Sequence, residues 1–216
     1  MMEIKSFTNF EKKMGTTNDY FISQRAAELN ESATLAMSQK TRELKSKGID
    51  VINLSIGEPD FFVPNFIKEA AKQAIDDNYS FYPPVPGYPE LRQMIAHKLR
   101  RDNHLDYDPS QIVVSNGAKH VIANIFLTIL NKGDEVLIPI PYWVSYPPLV
   151  QIADGKPVYI KSDFNKDFKI TAEDIERHIT PKTKAFIFSS PNNPSGKVYS
   201  YEELKEWASV FAKHPE

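Results

Sequence analysis

The octapeptide SSPNNPSG at residues 189–196 contains two adjacent side-chain amides, which can both donate and accept hydrogen bonds. The apolar run at residues 184–188 predicts a buried strand before it, and residues 201–207 predict an amphipathic helix after it. Prolines, serine and glycine between a strand and a helix favour a sharp, rigid turn. Because ligands bind at the carboxyl ends of the strands in open α/β sheets, this turn is a candidate ligand site rather than an ordinary connecting turn.

Two further strand ends carry residues that could contact a ligand. Ser115-Asn116-Gly117-Ala118-Lys119 joins a predicted strand to a long apolar helix, and a helix N-terminus attracts anions. This signal is weak by itself, because many strand–helix turns contain Asn-Gly. Trp143 follows another predicted strand, where its flat ring could stack on a planar heterocycle or simply pack in the core.

Two other candidates lie earlier in the chain. Gly57 opens the sequence GEPD, which is either a plain turn or a place where the backbone approaches a ligand that a Cβ would block. Tyr82 lies in a proline-rich segment at residues 80–89, which is predicted to be extended. Tyr82 is therefore either a surface aromatic among prolines or a ligand contact.

The elements that would position these residues alternate between strands and helices from residue 111 onward. Strands are predicted at 51–54, 111–115, 135–139, 156–160 and 184–189. Helices are predicted at 32–47, 64–78, 90–103, 117–131, 142–153, 171–179 and 200–213. This alternation indicates an α/β fold with a mainly parallel sheet and crossover helices. Residues 1 to about 30 are predicted to form a loosely ordered arm.

Composition narrows the classes of function. The 216 residues are 41% hydrophobic and 25% charged, which is typical of a globular protein. The net charge of -2 does not suggest a nucleic-acid partner, and no apolar run is long enough to span a membrane. The absence of cysteine excludes a disulfide framework and a thiolate metal site, and it fits a cytoplasmic protein. A nucleotide-binding module is disfavoured, because neither the GxGxxG fingerprint nor a Walker lysine pattern is present.

Taken together, the motifs resemble those of class I aminotransferases that use pyridoxal 5′-phosphate. The sequences YWVSYP and GEPDF resemble the bacterial aspartate aminotransferase branch of that family. The resemblance extends from about Ser32 to Tyr201 and implies an incomplete large cofactor-binding domain of the aspartate aminotransferase fold. It places residues 51–216 in that large domain, and residues 1–50 in an arm and helix that contribute to a small domain.

The resemblance also implies a role for each candidate residue. Asn193 would hydrogen-bond the phenolic oxygen of the cofactor, within a loop where Ser195 replaces the usual threonine. Trp143 would stack on the pyridine ring, and Tyr82 would reach the cofactor phosphate of the neighbouring subunit in a homodimer. The expected phosphate contacts are Gly117, Ala118 and Lys119. The expected substrate contacts are Gly57, Trp143 and Asn193.

The resemblance further implies exchange of an amino group between an amino acid and a 2-oxo acid, with aspartate and 2-oxoglutarate as the first expectation. In the family, the lysine that forms an imine with the cofactor, the carboxylate at the pyridine nitrogen and the substrate-clamping arginine follow the octapeptide. The sequence reaches Glu216 without them. We therefore expect the chain by itself to be inactive. The resemblance also implies that later strands of the family's sheet lie between strands 111–115 and 184–189, so we expect the chain by itself to be unstable or to aggregate. A non-catalytic truncated remnant, half of a split enzyme, and a lyase or synthase on the same scaffold remain alternatives.

Overall fold

A computed structural model describes residues 22–27, 29, 33–54 and 57–215 of the chain. The contacts divide the chain into two units. We call residues 32–128 the helical unit, and residues 1–31 together with 129–216 the sheet unit. The predicted domain boundary near residue 50 stays a prediction. Most of the predicted N-terminal arm lies outside the described residues.

Helices and strands alternate through the second half of the chain, as predicted. The helices are α1 Gln24–Ala27, α2 Ala33–Ser46, α3 Asn65–Asp76, α4 Pro89–Asn103, α5 Ala118–Ile129, α6 Tyr146–Ile152, α7 Ala172–Glu176 and α8 Tyr201–Phe211. The strands are β1 Glu135–Ile140, β2 Lys156–Lys161 and β3 Thr183–Phe186, and short 3-10 turns lie at Pro109–Gln111 and Phe164–Lys166. Within the described ranges, no helix has both the length and the apolar character needed to cross a bilayer.

The three strands form a parallel sheet in the order β2-β1-β3. The central strand β1 is flanked on both sides, and its residues Val136, Leu137 and Ile138 have no exposed surface. A run of apolar residues that is buried along its whole length is typical of a central parallel strand. This confirms the predicted α/β architecture with crossover helices.

The core of the sheet unit lies between the sheet and the helices α7 and α8. Its buried members are Leu137, Ile160, Ile170, Ala172, Ile175, Tyr199, Trp207 and Val210. Both helices begin with a capping box, in which the N-cap residue and the residue three positions later bond each other's backbone N–H groups. The pairs are Thr171 with Asp174 and Ser200 with Glu203. Such caps fix the start of a helix by satisfying amides that have no partner within it.

Two predicted strands are wrong. Residues 51–54 are not in a strand, and neither are residues 111–115, of which Gln111 ends the 3-10 turn Pro109–Gln111. The backbone of Ile112 is extended, with φ -110° and ψ 128°, and the N–H of Val114 donates to the Pro86 carbonyl at 3.0 Å. A strand needs a neighbour with which it can form a ladder of hydrogen bonds. In the part of the chain that the structure describes, neither segment lies beside another strand.

The helical unit leaves many large apolar side chains exposed. Leu54, Phe61 and Phe62 are each more than four-fifths exposed, and α3 has no buried residue among those that the structure describes. Exposed apolar surface on this scale is typical of a face that associates with another chain segment or molecule. The exposure supports the prediction that this chain by itself aggregates, which stays a prediction.

Candidate functional site

The carboxyl end of β1 leads directly into the loop that carries Trp143. The hydroxyl of Ser162 donates to the carbonyl of Ile140 and so ties the ends of β1 and β2 together. The N–H of Tyr146 donates to the Trp143 carbonyl at 2.9 Å, and the two rings meet edge to face with centroids 5.6 Å apart. Trp143 is partly buried. Its ring is therefore held beside the strand end but retains some exposed surface.

Helix α6 begins at Tyr146, later than the predicted start at residue 142. Pro147 lies in its first turn, a position at which a missing N–H has no cost because that group would lack a partner within the helix. The consequence for the site is that Trp143 belongs to the loop after β1 rather than to the helix.

A tyrosine pair supports the same loop. The rings of Tyr142 and Tyr159 stack with centroids 5.4 Å apart and an angle of 15° between their planes. Burial raises the pKa of Tyr159 to about 12, and a hydrogen bond with Tyr142 acts in the same direction. Sequence analysis missed Tyr159. Its place in the strand β2 was predicted, but nothing in the sequence paired it with Tyr142.

The octapeptide forms a closed turn at the carboxyl end of β3. The N–H of Asn192 donates to the Lys197 carbonyl at 2.8 Å, and the N–H of Gly196 donates to the Asn192 carbonyl at 2.8 Å. Gly196 has φ +70°, a conformation that costs glycine little but strains other residues. The N–H of Tyr199 donates to the hydroxyl of Ser190 at 3.0 Å and fixes the exit from the turn.

The two asparagines of this turn have different surroundings. The side-chain amide of Asn192 donates to the Pro141 carbonyl at 3.2 Å, so it connects the octapeptide to the Trp143 loop. Asn193 is exposed, and its backbone N–H donates to the hydroxyl of Ser189 at 3.2 Å. Its side chain makes no hydrogen bond to any residue that the structure describes. The carboxamide of Asn193 is thus available to a ligand.

In the helical unit, the turn before α5 has the geometry of a helix start. Gly117 has φ +82°, and its carbonyl accepts a hydrogen bond from the N–H of Val121 at 3.1 Å. The N–H of Asn116 donates to Nδ1 of His120 at 3.2 Å, and Asn124 Nδ2 donates to the hydroxyl of Ser115 at 3.2 Å. These bonds fix the turn from both sides. The first turn of a helix leaves amide N–H groups without intrahelical acceptors, which suits an anion.

The remaining two candidates of the helical unit lie on open surface. Tyr82 is fully exposed. Gly57 is exposed as well, and a Cβ built on it would meet no described atom within 4 Å. Both residues are therefore accessible. The preceding residues Ser55 and Ile56 lie outside the described residues.

The sheet unit brings two of the predicted site residues, Trp143 and Asn193, onto neighbouring loops at one edge of one sheet. Gly57, Tyr82, Gly117, Ala118 and Lys119 belong to the helical unit, and each keeps its predicted role as a prediction. The fold and these two loops define a class of protein. It is an α/β protein with a parallel sheet, in which the loop after β1 carries an aromatic ring, the loop after β3 carries an exposed amide, and a hydrogen bond from Asn192 to Pro141 joins the two loops.

Comparison with known proteins identifies the family. Residues 49–215 match the family described as Aminotransferase class I and II. The chain is 50% identical over 194 residues to a probable aspartate/prephenate aminotransferase of Rickettsia bellii, covering 90% of this chain and 49% of the relative. It is also 50% identical over 189 residues to an aspartate aminotransferase of a Bacillus species, covering 88% of this chain and 48% of the relative.

Solved structures agree with the sequence matches. The aspartate aminotransferase of Thermus thermophilus, solved with maleate, superimposes with a TM-score of 0.86 at 41% identity, over 89% of this chain and 50% of that one. The chain belongs to the class I and II aminotransferases, in the aspartate aminotransferase branch. It spans about half the length of the curated relatives it matches, corresponding to their N-terminal part.

Proposed function

We propose that the whole protein is a pyridoxal-phosphate-dependent aminotransferase that exchanges an amino group between an amino acid and a 2-oxo acid. Aspartate and 2-oxoglutarate are the proposed pair. The names of the relatives add prephenate as a second 2-oxo acid to test, because several of them are called aspartate/prephenate aminotransferases. A cytoplasmic homodimer is part of the same proposal.

The observation that carries the proposal is the junction between the Trp143 loop and the octapeptide. Asn192 joins the two loops, and the exposed carboxamide of Asn193 lies in the same turn. A planar ligand with a hydrogen-bond acceptor on its ring fits such a site, since a tryptophan can stack on its face while an amide N–H donates to its edge. The pyridine ring of pyridoxal 5′-phosphate, with its phenolic oxygen, has this chemistry.

Each proposed contact has a physical reason. Asn193 would donate its side-chain N–H to the phenolic oxygen and stabilise the negative charge there. Trp143 would cover one face of the ring and exclude water from it. The turn at Gly117, Ala118 and Lys119 would hold the phosphate, because amide N–H groups and the helix dipole both favour an anion at a helix start.

Two contacts concern the substrate and the partner subunit. Gly57 would let the backbone approach the substrate carboxylate closely, and its open surroundings leave space for that approach. Tyr82 would donate its hydroxyl to the phosphate bound by the neighbouring subunit, for which its full exposure leaves it available. When bound, the cofactor supplies an electron-withdrawing ring system that stabilises charge on the substrate carbon.

An isotope-transfer assay tests the proposal in the protein purified from its native source. The protein is saturated with pyridoxal 5′-phosphate and given [15N]aspartate with 2-oxoglutarate or with prephenate. We expect 15N to appear in the amino acid formed from the 2-oxo acid. Absence of transfer to either 2-oxo acid, from [15N]aspartate and from other 15N-labelled amino acids offered in its place, would contradict the proposed function.

The intact mass of the same preparation separates the proposal from its alternative. A product near 24.7 kDa that transfers no 15N would establish the non-catalytic remnant, or half of a split enzyme that needs its other chain. A heavier product that transfers 15N would support the aminotransferase. A lyase or synthase would instead consume the amino acid without forming a second one.

A further inference from the structure

The side chain of Asn192 uses both ends of its carboxamide within the protein. Its Nδ2 donates to the Pro141 carbonyl at 3.2 Å. Its Oδ1 accepts from the backbone N–H of Ser195 at 3.1 Å and from the hydroxyl of Ser195 at 2.8 Å. One side chain therefore holds the start of the Trp143 loop and the middle of the octapeptide at the same time.

The backbone of Asn192 strengthens this connection. Its N–H bonds Lys197 and its carbonyl bonds Gly196, so the turn closes around this residue. Asn192 is partly buried, whereas the next residue is exposed and makes no side-chain hydrogen bond within the described residues. The two adjacent asparagines, Asn192 and Asn193, thus have different surroundings and different roles. One is engaged inside the protein, and the other is available to a ligand.

The two ends of the carboxamide act on different loops. The donor end contacts Pro141, two residues before Trp143. The acceptor end contacts Ser195, two residues after Asn193. Because each hydrogen bond fixes a distance to within a few tenths of an ångström, the carboxamide fixes the spacing between the two loops.

We propose that Asn192 is a positioning residue that sets the spacing between Trp143 and Asn193, and with it the width of the ring-binding site. This inference rests on the proposed function for its ligand, but the connection between the two loops can be measured without any ligand. The proposal also explains the role of the Ser195 hydroxyl, which donates a hydrogen bond to Oδ1 of Asn192 and so helps to fix its side chain. Serine and threonine would serve equally there, and alanine would not.

The first test separates the two ends of the carboxamide. Asn192→Asp keeps an oxygen that accepts from Ser195, but it places a second oxygen opposite the Pro141 carbonyl, where two acceptors repel. In the whole protein, labelled with 5-fluorotryptophan and freed of cofactor, the 19F resonance of Trp143 is assigned by its loss in Trp143→Phe. We expect Asn192→Asp to shift this resonance and Ser195→Ala to leave it in place. An unchanged resonance in Asn192→Asp would overturn the proposal.

The second test measures the affinity for pyridoxal 5′-phosphate by equilibrium dialysis. Asn192→Ala removes both ends without adding a charge, and we expect it to weaken binding about tenfold, as for a displaced hydrogen-bonding group. Ser195→Ala should weaken binding about threefold, and Ser195→Thr should restore it. Equal affinity in Asn192→Ala and the unaltered protein would overturn the proposal.

A matched control excludes a general loss of structure. Ser200→Ala also removes a hydroxyl, here the N-cap of α8, which accepts from the N–H of Glu203 at 3.2 Å. We expect it to lower the stability to urea while the Trp143 resonance and the affinity for the cofactor stay unchanged. If the unaltered protein bound no pyridoxal 5′-phosphate, the proposed function would fail, and the fluorine result would still decide whether Asn192 connects the loops.

Discussion

At the amino ends of the strands, polar groups of the sheet unit bond one another, whereas at the carboxyl ends an amide is left exposed. The Glu135 carboxylate, in a residue only 7% exposed, accepts from Thr180 Oγ1 at 2.7 Å and from Lys156 Nζ at 3.0 Å. At the opposite end, Asn193 is exposed and its side chain bonds no described residue. The same sheet therefore has, at one end, a buried carboxylate that is satisfied internally and, at the other end, the side-chain amide of Asn193, which is offered to solvent.

This difference indicates that the polar residues at the two ends of the sheet contribute to different properties, folding stability at one end and ligand binding at the other. Buried polar groups that bond one another hold a structure together, and removing one partner leaves the other unsatisfied. An exposed amide already bonds water, so its removal has little effect on folding but removes a contact with a ligand. Substitution of the buried Glu135 should therefore change the free energy of unfolding, and substitution of the exposed Asn193 should change ligand binding.

The largest expected effect is on stability, for Glu135→Gln. The neutral amide cannot accept from both Thr180 and Lys156 as a carboxylate does, so we expect a loss of about 2 kcal/mol in the free energy of unfolding. Urea denaturation of the purified protein measures the loss. Glu206→Gln makes the same chemical change at an exposed position in the middle of α8 and should stay within about 0.5 kcal/mol of the unaltered protein. Equal stability of the two variants would contradict the proposed division.

The next effect is on the opposite end of the sheet. Asn193→Ala should weaken binding of pyridoxal 5′-phosphate about tenfold through loss of one hydrogen bond to a charged oxygen. Its free energy of unfolding should change by less than about 0.5 kcal/mol, because no described residue loses a partner. Equilibrium dialysis and urea denaturation measure the two quantities. A loss of stability without a loss of affinity would show that Asn193 stabilises the fold and does not bind the cofactor.

A smaller effect depends on pH. Hydrogen bonds from Thr180 and Lys156 lower the pKa of Glu135 below its ordinary value. The stabilisation by its charge is therefore fully present above the pKa of the unfolded state, about 4.3, and is lost as the pH falls through the lower folded pKa. The difference in the free energy of unfolding between the unaltered protein and Glu135→Gln should therefore shrink as the pH is lowered below about 5. A difference that is constant over this range would contradict the lowered pKa.

The smallest effect is expected at the cationic partner of Glu135. The Lys156 side chain is 65% exposed, so Lys156→Met removes a charge that water largely screens. We expect a loss of about 0.5 kcal/mol, since Thr180 still donates to the carboxylate. The same urea titration measures it. A loss as large as that of Glu135→Gln would show that the ion pair, rather than the hydroxyl, stabilises this end.

Sequence analysis predicted the sheet unit better than the helical unit for a physical reason. The strands β1, β2 and β3 are apolar runs bounded by polar turns, and each finds its neighbour within the described chain. Residues 51–54 and 111–115 are mainly apolar as well, but among the residues that the structure describes no strand lies beside them to supply hydrogen bonds. Sequence patterns report which segments can form strands, and only the tertiary structure decides whether a partner is present.

The site was predicted in part for a similar reason. Trp143 and Asn193 could be placed at strand ends from sequence, and their roles toward a cofactor stay predictions. Two adjacent asparagines give no sign in sequence of which one bonds the protein, because that depends on the turn that carries them. The contribution of Asn192 became visible only when its distances to Pro141 and Ser195 were known.

A crystal structure of the protein from its native source, grown with pyridoxal 5′-phosphate, tests the central claim most directly. The cofactor ring should lie against the indole of Trp143, with its phenolic oxygen about 3 Å from Nδ2 of Asn193 and the Asn192 side chain still bonded to Pro141. Cofactor bound away from these two loops, or an Asn193 amide turned away from the ring, would contradict the account.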